Sequence, residues 1–330
     1  MVDAIAAAQV LSEIGYLLRQ QEKERFRAKA FSAASWALAV QRPDLDELAR
    51  TGSLTSIEGV GEGIARVLND LIGTGQSRYL NRLREQMNQP ALADETQLDF
   101  ADYRGDIHSH TDWSDGRATM LQMAEGARAM GYGYVGITDH SPRITVVHGL
   151  NAERLVAQSR EMAEVQEQVD GVALLQGIEV DILEDGALDL PDGVLEILDV
   201  VIASPHVKLR QEPAAMTERM LRAVSNPHVD VIGHPTGRRP GAREGATYDF
   251  EAVFKEAARN GVALEIDCDP ARLDLSPEMA RMARDLGCDF VLDSDAHAPA
   301  EFAYVPMAMW IARRAGIPKE RIRNFRPDWS

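Results

Sequence analysis

Ile107-His108-Ser109-His110-Thr111-Asp112-Trp113-Ser114-Asp115-Gly116 is the stretch on which the reading of this chain turns. It leaves a short apolar segment and passes at once into residues that bind cations. In an extended chain residues i and i+2 face the same way, so His108 and His110 can grip one ion together. The same event recurs further along. Thr138-Asp139-His140 closes one apolar segment, Glu179 another, then His206, Gly233-His234-Pro235 and Asp295-Ala296-His297. Asp295 and His297 repeat the i, i+2 spacing.

Seven strand-like segments end near Ile107, Thr138, Ile178, Ala203, Ile232, Ile266 and Leu292. Helical stretches such as 120–130, 152–169, 212–225 and 250–260 separate them. Alternation of this kind means parallel strands joined by helical crossovers. Its repetition from Tyr103 onward favours an α/β barrel, closed or nearly so, over an open sheet. In a parallel barrel the C-terminal strand ends meet on one face, so ligand types scattered along the sequence become neighbours.

Six of the eight histidines fall in these motifs, and only His148 and His228 lie outside. A lone histidine at a strand end is usually a packing residue, but chance does not place six this way. The candidate metal ligands are His108, His110, Asp115, His140, Glu179, His206, His234, Asp295 and His297. Imidazole and carboxylate without thiolate suit Zn, Mn or Fe better than Mg or Ca. Nine ligands exceed the needs of one ion and suit two or three, bridged by a carboxylate such as Glu179.

HSHTDWSDG (108–116), ITDHS (137–141), GIEVDI (177–182), GHPTGR (233–238) and SDAH (294–297) resemble the polymerase-and-histidinol-phosphatase (PHP) superfamily. The likeness spans about 103–300 and is nearest the version in bacterial family X DNA polymerases. It implies a distorted seven-stranded (β/α)7 barrel, a trinuclear metal centre and a metal-dependent phosphoesterase. One ion would take His108, His110, Glu179 and Asp295, a second Glu179, His206 and His234, and a third Asp115, His140 and His297. Asp115 stands where many relatives have histidine, which shifts preference toward a harder ion such as Mn. The catalytic carboxylates would be Glu179 and Asp295. Metal ions supply hydroxide by lowering the pKa of bound water to ~7, and it attacks phosphorus in line. Lys208, Arg238, Arg239 and Arg243 follow strand ends closely and are candidates to bind substrate phosphate; a solvated loop of charges is the plain alternative. Asp267, Cys268 and Asp269 at the sixth strand end are expected to line the site, and Asp293, in parity with Asp295, to stand behind it. Trp113 either packs or stacks on a base.

Residues 1–88 read as a small all-helical domain. Val10, Ile14 and Leu17 keep helical spacing, a second apolar-periodic stretch covers 26–40, and Asp44 starts a short third helix. A last helix is expected over 62–72, with Gly73 and Gly75 at its end. Gly59-Val60-Gly61 before it looks like a helix–hairpin–helix motif, whose backbone N–H groups can hold one nucleic-acid phosphate. With Phe26–Phe31 and Thr74-Gly75 it resembles the N-terminal DNA-binding domain of family X polymerases, which implies DNA as a partner. A linker is expected over 89–102, and the barrel domain over 103–330. No palm fits between the two, so polymerase activity is not expected. Gly63, Arg66 and Val67 stand where some relatives carry lyase lysines, so neither is lyase chemistry.

The formal charge of −17 argues against whole-surface binding to nucleic acid. Residues 1–90 carry 11 basic and 11 acidic side chains, so the excess lies wholly in 91–330. Two cysteines without a CxxC pair suit a reducing compartment. With no signal peptide and no apolar run of membrane length, a cytoplasmic location is expected. The reading is a phosphoesterase at DNA 3′ ends, a 3′–5′ exonuclease or end-processing enzyme. Its rivals are a small-molecule phosphomonoesterase resembling histidinol-phosphate phosphatase, and a non-catalytic DNA-binding protein with a relict barrel.

Overall fold

The structure, a computed structural model, describes residues 2–19, 21–87, 98–240, 242–269 and 271–329. It divides into two compact units, residues 1–95 and, apart from Pro240–Ala242, residues 96–330. The division falls within the expected linker, of which residues 89–97 lie outside the described residues.

In the first unit α1 (Ala4–Arg19) packs on α2 (Arg25–Gln41). Ser12 Oγ and Ser35 Oγ lie 2.6 Å apart in the contact. Asp44 caps α3 (Leu45–Arg50) by accepting from Glu47 N. The turn before α4 (Glu62–Thr74) has Gly59 at φ +75°, a left-handed conformation that glycine adopts at no steric cost. The helix runs on through Gly73, and Gly75 alone, at φ +73°, ends it. α5 (Arg78–Gln86) is a further helix that the apolar periodicity does not announce. Only Leu80 and Leu83 are apolar and buried in it, among Arg, Asn, Gln and Glu. What fixes α5 is polar, one local cap and one distant ion pair. Ser77 caps its start, and Arg84 places two nitrogens 2.6 Å from the buried Glu13 carboxylate of α1.

The second unit alternates strand and helix: β1 (Gly105–Asp106), α6 (Met120–Met130), β2 (Tyr134–Ile137), α7 (Ala152–Gln166), β3 (Ala173–Asp181), α8 (Asp192–Leu195), β4 (Val200–Ser204), α9 (Pro213–Val224), β5 (Val231–Ile232), α10 (Phe250–Asn260), β6 (Ala263–Asp267), α11 (Pro277–Asp285), β7 (Phe290–Asp293) and α12 (Val305–Ala315). All pairings are parallel, in the order β1 to β7. The strands are largely buried on both faces because helices cover the outside, and their acidic residues gather toward the C-terminal ends. Ile107, Tyr134, Val200, Ile202, Val231, Ala263 and Val291 form one buried cluster. β3 extends past the expected Ile178 to Asp181, so Glu179 and Asp181 sit within the strand, two residues apart on one face.

Closure between β7 and β1 is made largely by side chains. One parallel bridge, Ser109 to Ala296, joins the two beyond their ends. Below it Ile107 N donates to Asp293 Oδ1 at 3.0 Å, and Ser294 N to Asp106 Oδ2 at 3.0 Å. The Asn324 amide completes the seam: it accepts from Leu292 N at 2.7 Å and donates to Gly105 O at 2.9 Å. The barrel is thus nearly closed, as expected. Asp293, expected behind the metal ligands, binds the seam instead.

Cys268 and Cys288 are buried, and their thiols donate to Asp293 O and Phe254 O. Burial pushes the Cys288 thiol up to about 12 and Cys268 well above its ordinary value. Neither is a thiolate at pH 8. The folded protein should leave 5,5′-dithiobis(2-nitrobenzoate) unreacted there, and release two equivalents of thionitrobenzoate once guanidinium unfolds it. Among the described residues no helix is long and apolar enough to cross a membrane.

Candidate metal centre

The barrel brings all nine sequence-predicted ligands to one end, around Glu179. That carboxylate is fully buried. Its Oε1 lies 2.7 Å from His234 Nε2, 3.1 Å from His206 Nε2 and 3.5 Å from His108 Nε2. Its Oε2 lies 2.8 Å from His140 Nδ1 and 3.7 Å from His110 Nε2. Asp295 Oδ1 is 2.9 Å from His110 Nε2. Asp115 Oδ1 is 3.3 Å from His297 Nε2 and 3.5 Å from His140 Nε2.

Among the described residues three groups have ligand atoms all within 4.8 Å of one another: His110, Asp115, His140 and His297; His108, His110 and Asp295; and His140, Glu179 and His206. His110 and His140 thus each belong to two groups, where the resemblance gave each to one ion. His234 reaches the set through Glu179. His108 Nε2, His206 Nε2 and Glu179 Oε2 are buried without a hydrogen-bond partner. Orphaned, convergent nitrogens and oxygens of this kind fit divalent cations. His234 and Asp295 have positive φ, 25° and 51°, so two of the nine sit on strained backbone.

The electrostatics reflect crowding. Burial, with His297 and His140 nearby, lowers His110 to about 3. Burial, with Arg272 nearby, lowers His234 to about 3. Burial also opposes charge on His206, but Glu179 and Asp181 outweigh it and hold the ring up to about 9. Glu179, against the cost of burial, is held well below the carboxylate range by His206, His140 and His108.

Several residues that orient the ligands escaped the sequence reading. Glu265 Oε1 lies 2.5 Å from His108 Nδ1, and Glu265 Oε2 accepts from His234 N. Asp181 Oδ1 lies 3.1 Å from His206 Nδ1. Asp139 accepts from Thr111 N, Thr111 Oγ1, Ser114 Oγ and Gln158 Nε2, fixing the loop that carries Asp115. Strand parity was the available signal: Glu265 pairs with Asp267, and Asp181 with Glu179, at i, i+2. The sixth strand therefore contributes after all. Glu265→Gln should weaken metal binding about 10–100-fold, read by equilibrium dialysis against Mn²⁺, because partners of this kind fix ring orientation.

Asp267 is buried beside Arg272, whose Nε stands 3.3 Å from it and 3.1 Å from Asp295 Oδ2. Asp269 lies partly buried next to it. Cys268 faces β7. Trp113 is held: its Nε1 donates to Glu161 at 2.8 Å, and the Arg154 guanidinium lies over its ring. Arg238 donates to Leu273 O and so ties the loop after β5 to the one after β6, while Arg243 donates to Gly237 O at 2.6 Å and braces its own loop. Arg239 and Lys208 are exposed.

In the helical unit Val60 is buried, while Gly59 and Gly61 are exposed at the start of α4. A cleft of about 1110 Å³ lies beside them, lined by Arg27, Phe31, Arg66, Tyr79 and Arg82 among others. The rings of Phe31 and Tyr79 stack in it.

Residues 106–269 match the family model of the PHP domain. A probable phosphatase of Thermoanaerobacter sp. (strain X514) is 32% identical over 232 residues, 66% of this chain and 89% of that protein. The chain belongs to the PHP family. A second relative, the DNA polymerase/3′-5′ exonuclease PolX of Bacillus subtilis (strain 168), is 37% identical over 229 residues. That match takes in 69% of this chain but only 40% of the PolX length. Among solved structures, histidinol phosphate phosphatase from Lactococcus lactis, complexed with zinc, L-histidinol and phosphate, matches at 15% identity and a TM-score of 0.45. It covers 65% of this chain and 94% of that one. This PHP protein is a metal-dependent phosphoesterase. Asp295 and His297 lie beyond the matched span, and the barrel returns them to it.

Proposed function

We propose that this phosphoesterase works at DNA 3′ ends, as a 3′–5′ exonuclease or end-processing enzyme, with the helical unit gripping the strand. The observation that carries this reading is the arginine-lined cleft beside the Gly59-Val60-Gly61 turn, in a chain whose barrel hydrolyses phosphate esters. A helix N-terminus, backbone N–H groups and guanidinium groups are what a DNA phosphate needs, and they read no sequence. The likeness to PolX supports it.

In this reading His108, His110, Glu179 and Asp295 hold one ion, Glu179, His206 and His234 a second, and Asp115, His140 and His297 a third. The donor set favours Mn or Zn, with Fe as a third choice. Bound there, divalent ions activate water and offset charge on the phosphoryl oxygens. The chain's own residues do the positioning. Glu179 faces rings from four strand ends, and Asp295 presents Oδ1 to His110 while Oδ2 faces Arg272. Glu265 and Asp181 fix the rings of His108 and His206. Arg238, Arg239, Arg243 and Lys208 meet the substrate phosphate, Arg238 also tying the loop after β5 to the one after β6 and Arg243 bracing the loop after β5. Unchanged KM and kcat in Arg238→Ala would remove that residue from the set.

One observation favours a small phosphomonoester instead: residues 91–330, which contain the barrel, carry the whole −17, and this repels a polyanion. A 5′-labelled single-stranded oligonucleotide in Mn²⁺, with His108→Ala alongside and histidinol phosphate in parallel, separates the two. Stepwise shortening that vanishes in the variant supports DNA-end processing. Phosphate release from the small ester alone overturns it.

A further inference from the structure

Arg219, on α9, is one of the largest fully buried side chains of the protein, only 1% exposed. A buried guanidinium is costly, and an apolar side chain of similar volume would fill the space without that cost. Among the described residues it forms no ion pair, and its Nε has no partner. Its other nitrogens go to two loops. Nη1 donates to Val207 O at 3.0 Å and to Gln211 Oε1 at 2.9 Å, and Nη2 donates to Ile182 O.

The two carbonyls have a particular address. Ile182 directly follows Asp181, the last residue of β3. Val207 directly follows His206. Asp181 and His206 are the pair whose side chains meet at 3.1 Å, and His206 Nε2 in turn faces Glu179. The next residue, Lys208, has φ +54°, a left-handed turn that a non-glycine residue holds only when its surroundings impose it. Gln211 adds a second tie by donating to Glu184 O at 3.1 Å. The planar fork of an arginine can span two carbonyls at a fixed separation, which a lysine ammonium cannot.

We infer that Arg219 is a positioning residue for the metal centre, which clamps the chain just beyond Asp181 and His206 and so fixes the His206 ring toward Glu179. This rests on the reading of His206 as a metal ligand. The test uses the full chain with Mn²⁺ alone as probe, following free Mn²⁺ by its electron paramagnetic resonance signal. Arg219→Met and Arg219→Lys should each raise the dissociation constant of the affected ion about 10–100-fold, in line with other groups that orient ligands. Arg222→Ala, an exposed arginine of the same helix paired with Asp185, should leave binding as in the parent. In a His206→Ala background, Arg219→Met should add no further loss, since a residue acting through another is not additive with it.

Additive losses would overturn the inference, as would unchanged Mn²⁺ binding in both arginine variants. If Arg219→Met does not fold by circular dichroism, Arg219→Lys, which keeps the charge and loses the fork, carries the comparison alone. A parent protein that binds no Mn²⁺ would instead refute the metal-centre reading and leave the clamp without an object.

Discussion

Glu179→Gln should lower phosphoesterase kcat/KM on the order of 10³-fold, comparable with the loss of a main electrostatic group in other hydrolytic sites, and should strip metal from the purified protein. The reason is geometric. Both carboxylate oxygens are committed, Oε1 toward His234, His206 and His108 and Oε2 toward His140 and His110. An amide of the same shape offers one neutral oxygen and turns an N–H₂ toward nitrogens that must present lone pairs to a cation. The shared anion disappears, and no other single carboxylate reaches all five rings: Asp295 meets only His108, His110 and His297, and Asp115 only His140 and His297. Turnover of p-nitrophenyl phosphate in Mn²⁺, with elemental analysis of the same sample, checks it. A variant that keeps both its metal content and its rate would show that Glu179 is not the shared ligand.

The second large effect is on stability. Asn324→Leu should cost the barrel about 3 kcal/mol, from two buried backbone groups left unpaired at about 1–3 kcal/mol each. The native amide accepts from Leu292 N and donates to Gly105 O, and it also lies 2.9 Å from Asp293 Oδ1. It therefore stands in for ladder hydrogen bonds between β7 and β1. Leucine is similar in volume but offers neither donor nor acceptor, and a buried site gives water little access to replace them. Urea unfolding followed by tryptophan fluorescence, to which Trp113, Trp310 and Trp329 of the barrel unit contribute, reads the change. A shift smaller than about 0.5 kcal/mol, the size of an ordinary surface substitution, would mean that the seam does not depend on Asn324.

The two substitutions separate function from scaffold. Glu179→Gln should also destabilise the barrel, since the rings that hold the buried carboxylate ionised lose their partner, but its loss of activity should far exceed its loss of folded fraction. Asn324→Leu should reduce activity only as far as it reduces the folded fraction, because Asn324 touches no candidate ligand.

Legibility in the sequence followed the range of the physics. Helix α3 and the helices at 120–130 and 250–260 were readable to the residue, because caps and apolar periodicity are local. α5 was not, because two buried leucines make too weak a stripe and its anchor, Glu13, lies 71 residues away. The ligand set was readable because each member stands at or just past an apolar strand, and a parallel barrel gathers such positions on one face. What sequence alone determined, then, is the order of strands and helices, the nine ligand types and the i, i+2 pairs, all properties of short stretches and of residue chemistry. Only the tertiary structure decided which partner orients which ring. Glu265 meets His108 across 157 residues, and Arg219 grips the chain beyond Asp181 and His206 from a helix that follows both. It also decided how β7 and β1 close on Asp106, Asp293 and Asn324. Those pairings depend on strand register and barrel closure, which bring together groups with no relation along the chain.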